Sequence, residues 1–345
     1  MGHSELAISR PEPSQRQREL APQHLDYLDG WRGLAILFLL AGHFYPVAGI
    51  NLGAVGVNLF FVLSGLLMAQ LLFVAGTPIP TFYRRRISRI LPGFVVMLGL
   101  VTAWWALSGR TVQWHQVAAA ALFVNNYTAH APGEMPFGHI WSLSVEEHSY
   151  VLLSLVALAA RRTGRRPGPA VALLALVFAG CGLWYWSRFS GPGLDFGLWL
   201  HTEVQAFGVF LSAALLLVLR KRRVAPLPWL VLPVLVAAGI ALHWWSVPAP
   251  LRTVGGVGLF ALAVNLLRAA PPPLKAALSL RPLRQMGIWS FSIYLWQQPF
   301  YLATQHAMPA WIALALAIAA GIVSFYCIER PARAWLNAHW GGRAG

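Results

Sequence analysis

Four groups of polar side chains stand where this chain is otherwise apolar. In "WRGLAILFLLAGHFYP" at 31–46, Arg32 and His43 bracket a hydrocarbon-like run. They are eleven residues apart, about three helical turns plus roughly 20°, so they share one face about 16 Å apart in depth. A helix face polar at two depths suits a cavity rather than lipid. In "HIWSLSVEEHSYVLL" at 139–153, Glu146 and Glu147 interrupt another apolar run, and Ser142, Glu146 and Tyr150 recur every fourth residue. A buried carboxylate beside a histidine can orient it, stabilise its cation or take its proton. In "FYRRRISRILPGF" at 82–94, Arg86 and Arg89 lie on one helical face. The planar fork of arginine suits phosphate. Each group also has a structural reading: Arg32 as a topology charge, His43 as a satisfied core histidine, the glutamates as a helix-joining network, the arginines as headgroup anchors.

The elements that would hold these residues are membrane helices. The chain is 57% hydrophobic and 11% charged, with a mean hydropathy of +0.58, whereas soluble domains are about 25% charged. Apolar runs fall near 29–47, 52–75, 88–108, 139–160, 170–187, 197–219, 229–247, 251–268, 287–304 and 309–328, with a weaker one at 116–128. The net charge of +15 sits in short clusters between runs, the pattern of topology signals rather than of nucleic-acid binding. If 116–128 does not cross, only Arg110, Arg188 and Arg252 of the 26 Lys and Arg face outward. The expectation is an all-α polytopic protein of about ten transmembrane helices with both termini cytoplasmic. Segment 116–128 would be a re-entrant or interfacial piece on the outer face. Residues 1–28 read as a disordered tail, 29–336 as the membrane domain and 337–345 as a second tail. The run after Arg32 reads as a retained span rather than a signal peptide. Cys181 and Cys327 are unpaired by any motif, and no metal-ligand spacing, phosphate loop or dinucleotide fingerprint is present.

Taken together, these stretches resemble the integral-membrane acyltransferase 3 family. "LDYLDGWRGLAILFLLAGHF", "GVNLFFVLSGLLMAQ", "FYRRRISRILPGF", "IWSLSVEEHSYVLLSLV", "SFSIYLWQQPF" and "CIERPARAWL" follow the family's motif order from about residue 25 to 336. The resemblance implies transfer of an acyl group, most commonly acetyl, from cytoplasmic acyl-CoA (acetyl-CoA) to a hydroxyl of a surface or exported carbohydrate, at the inner (plasma) membrane and without a metal. Carried onto this chain, it implies donor phosphates at Arg32, Arg86 and Arg89. His43 would be the base or the acylated group, oriented by Glu146. Trp141, Ser142, Glu147, Tyr150, Tyr294, Trp296 and Gln297 would contact the acceptor or support the catalytic pair. Asn58 stands where many members carry Asp, and Gln297 where many carry His, which removes an acid or base at the latter. Longer members carry an appended hydrolase-like domain. Here the membrane part is expected to transfer the group itself or with a partner. The competing reading is a proton-coupled transporter with His43 and Glu146 as relay. A milder one keeps the enzyme with a succinyl donor, or with a macrolide or lipid acceptor.

Overall fold

A computed structural model describes residues 25–128, 135–189, 196–222 and 224–341. Among these the chain is helical, and the sole β pairing is an isolated bridge between Ile50 and Trp244. The helices are α1 Asp26–Phe44, α2 Leu52–Ala69, α3 Ile79–Leu107, α4 Trp114–Ala121, α5 Ile140–Thr163, α6 Gly168–Arg188, α7 Phe196–Trp199, α8 Thr202–Gln205, α9 Phe207–Leu219, α10 Val231–Leu242, α11 Val257–Leu266, α12 Pro272–Leu278, α13 Arg281–Thr304, α14 Ala310–Ser324 and α15 Arg330–Gly341. The first helix begins at Asp26 and the last runs through Gly341, so helix extends into both stretches expected to be tails. The remaining tail residues, 1–24 and 342–345, lie outside the described chain.

Among the described residues, six stretches are long and apolar enough to cross a membrane: Leu52–Val74, Ile79–Leu107, Ile140–Thr163, Gly168–Arg188, Leu251–Ala269 and Ala310–Trp340. Of the other expected spans, α1 carries Asp26, Asp29 and Arg32, and α13 carries Ser290, Ser292, Gln297 and Gln298, side chains that lower hydropathy because they face protein. The run expected at 197–219 is broken into α7, α8 and α9 by the polar stretch His201–Gln205. At thirteen and twelve residues, α9 and α10 rise only about 20 Å.

Helix directions follow from side-chain contacts. Ser64 of α2 meets Glu146 of α5, while Leu72 and Thr77 meet Arg161, so α2 and α5 run parallel. A chain entering α5 in the direction of α2 has crossed an odd number of times in between. α3 supplies one crossing, and α4, at eight residues or about 12 Å, is too short to add another across a hydrocarbon core about 30 Å thick.

Close helix approach is set by glycine. A Cβ on Gly33 would strike the backbone oxygen of Leu283, and one on Gly287 would strike that of Asp29. Thus α1 and α13 pack backbone to backbone, as small residues permit in membranes, and the pairs Asp26–Arg284 and His43–Gln297 show that they run parallel. Arg284 is tied to Asp26 across the same pair at 2.8 Å. Trp31 Nε1 donates to the Leu59 carbonyl at 3.1 Å, fixing α1 against α2. The main core joins α1, α2, α5, α6, α9 and α11 around Tyr150, Phe61, Phe210 and Phe260. α3 packs on α5 and α13 through Phe94, Met97 and Leu295.

Candidate functional site

A cavity opens between α1, α2, α3, α5 and α13, and Arg32, Arg86, Arg89, Ser64, Ser142, Glu146, Tyr150 and Tyr294 are among the residues that line it. Arg32, Arg89 and Arg333 of α15 are near enough for their like charges to repel. Asp29 stands 3.8 Å from Arg32, and Glu329 acts on Arg89 at longer range. Arg89 is exposed and makes no hydrogen bond or close ion pair among the described residues. Guanidinium groups gathered this way form a seat for a polyanion. Arg333 escaped the sequence reading because it stood in a closing stretch that looked like a topology anchor.

Arg86 is placed differently from expectation. Its Nε and Nη2 donate to Glu147 at 2.9 Å and 2.7 Å, its Cζ lies 3.6 Å from the centre of the Tyr150 ring, and Glu146 is 3.8 Å away. With two carboxylates and an aromatic face around it, Arg86 is neutralised locally and has no free fork for phosphate. Its spacing from Arg89 on α3 was legible. The pairing that separates their roles comes from α5 and was not.

Glu146 also departs from expectation. It accepts from Ser64 Oγ at 2.5 Å and faces Arg86, and no hydrogen bond joins it to His43. The expected pairing of Glu146 with His43 does not form, because Glu146 points to α2 and α3. The partner of His43 is Gln297, whose Oε1 lies 2.8 Å from Nδ1. Gln297 is fully buried, and its Nε2 donates to Gln298 Oε1 at 3.2 Å. With Oε1 as acceptor, Nδ1 carries the imidazole proton and Nε2 keeps the lone pair. The ring stacks on Tyr301, with centroids 4.7 Å apart. On its far side, His43 Nε2 lies 3.4 Å from where a Cβ of Gly53 would sit. The glycine leaves that nitrogen room for a reactant.

Tyr294 sits one turn before Gln297 on α13 and at the cavity's inner end. Its hydroxyl donates to the His139 carbonyl and accepts from Ser142 Oγ at 2.6 Å. The buried His139, absent from the expected set, is held through Nε2 on the Leu295 carbonyl at 3.1 Å. Trp141 packs edge-on against Phe61 and lies 5.8 Å from Trp199. Trp296 is turned into the α3 packing layer with Phe291, away from His43. The structure therefore gathers Arg32, Arg86, Arg89, Ser142, Glu146, Tyr150 and Tyr294 at one cavity, places His43 and Gln297 just beyond it, and leaves Trp296 out. No group of three or more His, Cys, Asp or Glu suited to hold a metal occurs among the described residues.

Comparison with known proteins follows the same lines. A family model described as an acyltransferase domain matches residues 25–328. Relatives include "Putative peptidoglycan O-acetyltransferase YrhL" of Bacillus subtilis, 27% identical over 90% of this chain and 56% of its own length. Peptidoglycan O-acetyltransferase OatA of Listeria monocytogenes is 26% identical over 92% and 57%. "Putative membrane-bound transacylase BcsY" of Komagataeibacter xylinus is 26% identical over 92% and 83%. The chain thus spans little more than half the length of the first and second of these. No solved structure matches it. The extent of the family match, over the same residues that build the arginine-lined cavity and carry His43, shows that this chain belongs to the acyltransferase 3 family.

Proposed function

We propose that the protein is a membrane-embedded acyltransferase moving an acyl group, acetyl in the simplest case, from acyl-CoA to a hydroxyl of an exported carbohydrate. The observation that carries this reading is His43: Nδ1 tied to Gln297, Nε2 open beside Gly53, one helical turn beyond a cavity that begins in arginines. The phosphates of the donor rest on Arg32, Arg89 and Arg333, and the pantetheine arm follows the cavity past Ser64 to Tyr294. The acceptor O–H gives its proton to His43 Nε2 as its oxygen attacks the thioester carbon. The C–S bond then breaks, and the departing thiolate takes the proton back from the imidazolium. Gln297 holds the tautomer this step needs. Arg86, Glu146, Glu147 and Tyr150 form the wall that keeps the passage open.

The carbohydrate acceptor is supported by the printed names of the two peptidoglycan O-acetyltransferases. The topology we propose is ten crossings of the inner membrane with both termini cytoplasmic. It is supported by the parallel run of α1 and α13 and of α2 and α5, and by the charge clusters of the sequence. Donor and acceptor then approach from opposite faces.

The test is transfer of radiolabelled acetyl from acetyl-CoA in proteoliposomes supplied with cell-wall glycan. Wild type loses the thioester only with acceptor present, and His43→Ala abolishes this while keeping the wild-type melting profile. Near-normal transfer by His43→Ala would overturn the mechanism, and solute uptake without thioester loss would favour the transporter.

A further inference from the structure

A second cavity lies toward the end of the bundle opposite Arg32 and Arg89. One helix divides the two spaces. The α2 side chains Val57, Phe60 and Ser64 face the first, while Asn51, Ala54 and Asn58 face the second. Part of the second cavity's wall comes from interrupted helix: the short helices α7 and α8 supply Trp199, Val204 and Gln205, and a π-helical turn at Leu251–Gly256 supplies Arg252 and Thr253. Interrupted helices at membrane depth are tolerated where they line a cavity, and π turns concentrate at functional sites.

The lining has a definite chemistry. Three indoles, Trp186, Trp199 and Trp245, provide flat apolar faces. The Nε1 of Trp186 is buried with no hydrogen-bond partner among the described residues, a donor left for a ligand oxygen. His243 Nδ1 donates to the Gly239 carbonyl at 2.7 Å, so its Nε2 accepts from Asn58 Nδ2 at 3.0 Å. That leaves the Asn58 carbonyl oxygen to accept from a hydroxyl. Arg252 lies 5.4 Å from the Trp186 ring and 5.6 Å from the Trp245 ring, and no carboxylate among the described residues lines the space. A cationic ligand is disfavoured because a guanidinium already lies beside one face of the Trp186 and Trp245 rings. Stacking surfaces, planar amides and one uncompensated cation suit a sugar ring that carries a carboxylate.

The cavity also reaches the reacting nitrogen. The position that a Cβ on Gly53 would take is 3.2 Å from Asn51 Oδ1 and 3.4 Å from His43 Nε2. Asn51 belongs to the second cavity, so a hydroxyl carried past Gly53 arrives at His43 from the side opposite Gln297. We propose that this cavity is the acceptor subsite and that it takes a carboxylate-bearing sugar residue, with Arg252 reading the carboxylate and Trp245 stacking on the ring. This rests on the acyl-transfer reading, but its test does not require turnover.

The full chain is placed in phosphatidylcholine nanodiscs without donor, and tryptophan fluorescence and calorimetry follow titration with trigalacturonate or maltotriose. The expected result is that trigalacturonate binds at least tenfold more tightly than maltotriose. Arg252→Gln removes that preference, and Trp245→Ala weakens both sugars at least tenfold. Trp245 is 59% exposed, so its truncation leaves the packing intact, which an unchanged melting curve verifies. Equal binding of the two sugars, no binding, or unchanged affinity in Trp245→Ala would overturn the proposal. So would phosphatidylglycerol displacing trigalacturonate through Arg252, which would make this a lipid-headgroup site. Sugar binding in a protein inactive with acetyl-CoA would instead count against the acyl-transfer reading alone.

Discussion

Replacing Gln297 by leucine tests the catalytic geometry at one atom. Gln297 is fully buried, and its Oε1 is the hydrogen-bond acceptor for His43 Nδ1 at 2.8 Å. Leucine is similar in bulk, so the expected effect is the loss of the acceptor for His43 and of the Nε2 bond to Gln298 rather than a cavity. A typical intramolecular hydrogen bond contributes about 0.5–1.5 kcal/mol, and leaving its buried donor without a partner costs about 1–3 kcal/mol. At about 1.36 kcal/mol per tenfold in rate, turnover should fall about 5- to 150-fold if the lost interaction is what holds the reactive tautomer. The assay is steady-state acetyl transfer in proteoliposomes with saturating acceptor. The drop should fall on kcat, with KM for acetyl-CoA unchanged, because the phosphates sit far from this pair. Gln297→Glu, which keeps an acceptor oxygen, should lose less than Gln297→Leu. If Gln297→Leu turned over within about twofold of wild type, His43 would not depend on this tautomer and the base assignment would fail.

Three further expectations rest on other contacts. Glu147→Gln weakens the bidentate partner of Arg86 and should lower stability by about 3 kcal/mol, in line with breaking a buried ion pair. The double change Arg86→Met with Glu147→Leu should recover most of that in thermal melts, giving a non-additive cycle. Arg89→Ala and Arg333→Ala should each raise KM for acetyl-CoA about tenfold, as expected for a charge-assisted contact. Neither should alter the kinetics of S-acetylpantetheine, a donor without phosphate. Equal effects on both donors would remove the arginines from the phosphate site. Gly33→Ala places a Cβ against the Leu283 backbone oxygen, so it should yield no folded protein in a detergent size-exclusion profile. A normal profile would refute the close packing of α1 and α13.

Much of this site was written in helical period. Arg32 and His43 share a face because eleven residues nearly complete three turns, and Ser142, Glu146 and Tyr150 do so through a four-residue spacing. What the period does not carry is azimuth between helices. Glu146 was expected to orient His43, yet α5 turns it toward Ser64 and Arg86. Gln297 was read as a position that had lost an acid or base, and in the fold it is the group that orients His43. Arg333 looked like a charge past the last span, but helix continues through it and returns it to Arg32 and Arg89. The broken run at 197–219 was hidden because the polar residues His201–Gln205 are few enough to pass within an apolar average. The second cavity is built from that break and from the turn at 251–256, so no sequence window contained it.

The glycine contacts between α1 and α13 bear on motion as well as packing. Helices that meet through long side chains can slide as rotamers readjust, but two backbones in contact have no such slack. His43 rides on one of these helices and Gln297 on the other, so their alignment behaves as a fixed mount. By contrast, α10 presents Val234 outward and buries only Leu232 and Gly239, so fewer contacts hold it in place. On the acceptor reading proposed above, opening for a bulky acceptor would fall to the rim near α10, while the reacting nitrogen stays in register. Acceptors of varied shape would then be admitted at one edge without retuning the chemistry at the centre.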